Sequence, residues 1–84
     1  MTIDEALADL SSKIKSVAPE AVLRTKKRNA EEGTIRAYVK ADLESAVREA
    51  VQERSLELLT KNDLDVQVLV YDIETSLPPE EGAA

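Results

Sequence analysis

The residue types that carry most enzyme chemistry are missing from this chain: neither Cys nor His occurs among its 84 residues. Without His there is no general base titrating near neutral pH, no Ser-His-Asp or Cys-His arrangement, and the commonest transition-metal ligand is gone. Without Cys, disulfides, thiolate nucleophiles and sulfur-ligated zinc are excluded. Ser11, Ser12 and Thr60 have no base beside them and read as solvent-facing helix residues. Asp63, Asp65, Asp72 and Glu74 are the remaining candidates for a hard cation, but no segment has calcium-loop spacing and the turn lacks Gly, so they read as ordinary helix and strand termini. The expectation is a non-enzyme with no catalytic residues, no cofactor and no metal.

What is left is binding chemistry. Arg24, Lys26 and Arg28 recur at a spacing of two, as do Arg36, Tyr38 and Lys40, and again Gln67, Leu69 and Tyr71. On extended backbone such a spacing puts each set on one side of a sheet. The expected interaction surface is Arg24, Lys26, Arg36, Tyr38, Lys40, Leu69 and Tyr71. Two readings compete for it. Tyr and Arg anchor protein interfaces, and an exposed sheet edge invites strand addition by a peptide or a second copy. Cations interleaved with two tyrosines also suit single-stranded RNA or DNA, with phosphates on the cations and bases on the rings. Charge bears on the choice. Residues 21–40 hold six Lys/Arg against two Glu, a local +4, which leaves −10 on the rest of a chain whose net charge is −6. That acidic balance repels phosphate, so a protein partner or self-association is the leading expectation and nucleic acid the alternative.

The elements that position these residues follow from periodicity. From Thr2 to about Val17, apolar residues recur at spacings of three and four, one stripe of an amphipathic helix opened by a Thr2/Glu5 capping box and ended by Pro19. Residues 21–28 read as a weakly apolar strand. Residues 29–33 read as a polar hairpin loop, and Thr34 to Lys40 as an alternating strand antiparallel to the first. A second helix runs from an Asp42 N-cap to about Lys61, with Asn62 as left-handed C-cap, burying Leu43, Ala46, Val47, Ala50, Val51, Leu58 and Leu59. Asp65 to Ile73 reads as a central or nearly central strand by its β-branched content, parallel to the second strand and inserted beside the first or the second. Arg54 falls inside the second helix's apolar stripe. It reads either as snorkelling to a nearby carboxylate or carbonyl, or as an anion-binding or subunit-pairing arginine.

The fold expected is α+β, a two-layer α-β-β-α-β sandwich with a three-stranded mixed sheet and both helices on one face. Residues 1–74 form the single domain, and 75–84 are expected to be a disordered acidic tail. An apolar fraction of 43% with 33% charged residues is globular, and with no Phe or Trp the core must be aliphatic. No apolar run approaches a membrane span, and the first residues carry acid where a signal peptide carries base, so a cytoplasmic location is expected. The element order over residues 2–74 resembles two groups. One is the KH-like class of nucleic-acid domains, whose Gly-x-x-Gly clamp has no counterpart here because Gly33 and Gly82 are the only glycines. The other is the ring-building modules of secretion and sporulation assemblies, which stack through helix and sheet surfaces.

Overall fold

The computed structural model describes residues 1–75. Helix α1 spans Ile3–Val17 and begins as the capping box dictates: the Thr2 hydroxyl accepts from the Glu5 amide at 3.2 Å, and the Glu5 carboxylate accepts from the Thr2 amide at 2.9 Å. These bonds hold the Glu5 carboxyl below the usual carboxylate range. Replacing Thr2 by Ala removes a side-chain acceptor from the helix start, and the expected cost is about 1 kcal/mol in urea unfolding. A change under a few tenths of that would mean the end frays in solution.

Strands β1 (Val22–Lys27) and β2 (Glu32–Val39) pair antiparallel. Helix α2 (Glu44–Asn62) returns the chain so that β3 (Asp65–Asp72) pairs parallel with β2. The strand order is β1-β2-β3. The last strand is therefore an edge strand beside β2, not a central one. Its β-branched content reflects the helix above it rather than strands on both sides.

Both helices lie against the face that presents Ile35, Ala37, Val39 and Val66, all buried, and they join α1 residues Ile3, Leu7, Leu10 and Ile14 in one aliphatic core. Gly33 belongs to β2 rather than to the loop. A Cβ there would stand 3.1 Å from Leu7 Cδ2, so its lack of a side chain lets α1 approach the sheet.

Three features of α2 and its approach differ from the sequence reading. Asp42 does not cap α2: it sits in a 3-10 turn, Ala41–Leu43, closed by the Leu43 amide on the Lys40 carbonyl at 2.8 Å. The left-handed residue after α2 is Asp63 (φ 54°), not Asn62, which is still helical. Ala46 and Leu59 are exposed, because the core takes only Val47, Val51 and Leu58 fully from α2. The acidic tail expected over 75–84 lies, apart from Thr75, outside the described residues.

Candidate interaction surface

The face of the sheet away from the helices is set by strand register. Arg24 lies opposite Arg36, which lies opposite Leu69; Val22 lies opposite Tyr38, which lies opposite Tyr71; Lys26 and Gln67 flank Thr34. The alternation in the sequence thus brings Arg24, Lys26, Arg36, Tyr38, Leu69 and Tyr71 to one face. Lys40 stands apart. The strand ends at Val39, and Lys40 Nζ lies 3.7 Å from a Glu20 carboxylate, on the rim of an open cleft of about 510 Å³ whose apolar walls include Ala18, Ala21, Leu43 and Ile73.

The two tyrosine rings stack on each other, centroids 5.3 Å apart and planes inclined by 22°. Tyr38 is only 5% exposed, whereas the sequence reading took its ring as open to a partner. It occupies the middle strand, between Val22 and Tyr71 in register, with the Tyr71 ring stacked on it. Tyr71, half-buried on the edge strand, keeps the accessible part of the pair. Leu69 is 39% exposed beside it.

The face grades from cationic at β1 to apolar at β3. Arg24, Lys26, Arg28 and Arg36 surround an open depression of about 470 Å³, with Thr25 and Thr34. Arg24 lies directly across from Arg36, so two guanidinium-bearing side chains share this part of the face. Arg24 also donates from Nη1 to the Leu23 carbonyl at 3.4 Å.

Comparison of the chain with family models, curated proteins and solved structures gives no match. Among the described residues there is no cluster of three or more carboxylates placed to hold a metal ion, and no helix is long and apolar enough to cross a membrane.

Arg54 lies away from this face, at the seam between the helices. Its Nε donates to Asp9 Oδ2 of α1 at 2.6 Å and its Nη1 to Glu57 Oε1 at 3.1 Å, while Lys61 Nζ approaches Glu57 Oε2 at 3.5 Å. The bonds to Asp9 and then Glu57 make the guanidinium hold its proton more tightly. The bond from Arg54, followed by that from Lys61, lowers the Glu57 carboxyl below its ordinary value. Two carboxylates of the same chain thus engage Arg54, making it a clasp between α1 and α2.

A carboxyl depressed in the folded state stabilises fully above its unfolded pKa, and that contribution fades as pH falls through the folded value. Arg54→Met is therefore expected to move the Glu57 titration upward, toward the ordinary glutamate range, with Lys61 keeping part of the depression, read by carboxyl NMR. The part of the stability difference between variant and wild type that arises from Glu57 should shrink on acidification below that range. A Glu57 midpoint indifferent to the substitution would mean that the clasp is open in solution.

Leu56 and Leu59 carry a further feature that the sequence reading missed, being 59% and 47% exposed on α2. On a 100° wheel Leu56 falls opposite the Val47/Val51/Leu58 stripe and Leu59 about 100° from its centre. That separation was readable in advance, but the count of apolar residues in the helix obscured it.

Proposed function

We propose that this chain is a non-catalytic interaction or assembly module of the cytosol, contacting a protein partner through the open sheet face and its edges. The observation that supports it best is the exposed row Arg36–Leu69 beside Tyr71, on a face that neither helix covers. Arg and Tyr supply large contact area with hydrogen-bonding ends, and a partly exposed Leu between them gives an apolar centre with a cationic rim. A partner suited to it presents apolar side chains flanked by carboxylates. The absence of Cys fits a reducing compartment.

Binding is tested on Arg36→Glu and Leu69→Asp, because both side chains are exposed and neither helix rests on them. Cross-linking of tagged protein in cells, followed by mass spectrometry, should recover a partner with wild type and lose it with both variants. Lys13→Glu, on α1 away from the sheet's open side, should retain it. Partners that survive both substitutions would overturn the reading.

The basic depression around Arg24, Lys26, Arg28 and Arg36 favours one second reading, single-stranded RNA or DNA, with Tyr71 as the accessible ring. Titration with labelled oligonucleotides decides it. Phosphate contacts must weaken steeply as salt rises, and absence of binding at low salt eliminates it.

A further inference from the structure

The two edges of the sheet are complementary in backbone, charge and cover, and from this we infer that β1 of one copy adds to β3 of the next, joining copies head to tail into a continuous sheet. The inference rests on the assembly reading above and names its partner: a second copy of this chain.

The backbone argument comes from which groups already have partners. The amides of Asp65 and Ile73 donate to Glu31 and Val39, both at 2.8 Å, so the odd-numbered residues of β3 turn toward β2. By the alternation of a strand, Val66, Val68 and Val70 direct their N–H and C=O groups to the free edge. In β1 the parity is reversed. The Arg28 amide donates to Glu32 at 2.9 Å, so even-numbered residues face β2 and Leu23, Thr25 and Lys27 face the other edge. Both free sets carry their side chains on the helix side of the sheet. Because β1 runs antiparallel to β3, a copy set alongside in the same orientation offers β1 in the direction an antiparallel ladder needs.

Charge selects these two edges for each other. Arg24, Lys26, Lys27 and Arg28 give β1 and its end four cations and no acid, whereas β3 carries Asp65 and Asp72 and no base, with Asp63 and Glu74 just beyond its ends. One register seats all six residues of β1 within Val66–Tyr71. Leu23 then lies across from Val70, Thr25 from Val68 and Lys27 from Val66, while on the open face Arg28 meets Asp65.

Cover completes the match. Helix α2 stands over the edge strand. Its flank away from α1 carries Gln52, Ser55 and Leu59, which with Leu56 form a groove of about 260 Å³ against Asp65 and Val66. Among the described residues no strand lies beneath that flank, since β3 ends the sheet. On β1, Leu23 is only half-buried and Thr25 and Lys27 are exposed on their helix side. The groove of one copy supplies the roof that β1 of the next lacks. Pairing β3 with β3 instead would hold two α2 helices above strands ~4.8 Å apart, closer than the ~8–10 Å at which helices pack. Lys and Arg are also a common protection of lone edges, but β3 has no such protection. A heterologous contact of this kind propagates or closes into a ring.

Sedimentation of the full chain from micromolar to millimolar concentration reads the outcome. Wild type should form a ladder of species that grows with concentration and shrinks with salt. Val68→Pro removes an edge-facing amide from β3 and Thr25→Pro one from β1, each without taking a bond from the internal ladder. Each alone should be monomeric, and their mixture should stop at a one-to-one pair. If proline unfolds either chain by circular dichroism, the charge swap carries the test. Asp65→Lys and Arg28→Glu should each weaken association roughly five- to tenfold, and the two together in one chain should restore it.

A strictly monomeric wild type overturns the inference, as does Thr25→Pro that still dimerises, which would mean β3–β3 pairing. Either result leaves the cellular partner lost by Arg36→Glu and Leu69→Asp standing, so the broader reading fails only on its own experiment.

Discussion

Tyr38→Ala is expected to lower the unfolding free energy by about 3–5 kcal/mol, the range for deleting a large buried aromatic. Tyr38 is 5% exposed, its ring stacks on Tyr71 at 5.3 Å, and Val22 lies beside it across the sheet. Deletion removes its burial, strands Tyr71 without a stacking partner and opens the middle strand to water. A domain of this length has a total stability of roughly 4–13 kcal/mol, so the variant should melt far earlier and sit near the unfolding threshold at the low end of that range. Chemical denaturation of wild type and variant checks it. A loss under about 1 kcal/mol would mean that the ring lies free on the surface rather than packed within it. The consequence for function is direct. Loss of partner binding by a Tyr38 variant would report unfolding, and only Arg36 and Leu69 report the face.

Leu58→Ala is expected to cost about 2–5 kcal/mol, whereas Leu59→Ala, one residue on, should change stability by less than about 1 kcal/mol. Leu58 is fully buried at the C-terminal end of α2, where the backbone amides of Asp63 and Leu64 both close on its carbonyl. A cavity there loosens the helix end and the turn that launches β3. Leu59 is nearly half exposed and leaves little behind when truncated. The pair is measured side by side in urea. Equal losses would mean that α2 is rotated in solution from the orientation described, and would remove the groove proposed for a neighbouring β1. Head-to-tail pairing adds a contrast: Leu59→Ala should weaken self-association although it spares the monomer.

Local periodicity determined much of this protein in advance. The capping box at Thr2, the 3.6-residue stripe of α1 and the two-residue alternations of Ile35/Ala37/Val39 and Val66/Val68/Val70 each name the face that must be covered. Two helices and three strands with one apolar side apiece have few arrangements that bury all of them. The same alternation places Arg36, Leu69 and Tyr71 on one face.

What tertiary structure alone decided is lateral. Side-chain period says which face a residue takes but not how far from the edge its strand lies, and exposure on an uncovered face depends on neighbours in adjacent strands. Tyr38 and Tyr71 are equivalent by period, yet the one on the middle strand is buried and the one on the edge strand only half-buried. Leu59 reads as buried when the apolar residues of α2 are simply counted. It turned outward because α2 covers an edge strand beyond which no described strand lies. Arg54 sat in an apolar stripe that could not reveal Asp9, forty-five residues away, as its counter-charge. Contacts made within one element are fixed by the chain's own spacing, whereas the order of strands and the flanks they leave bare depend on where distant elements settle.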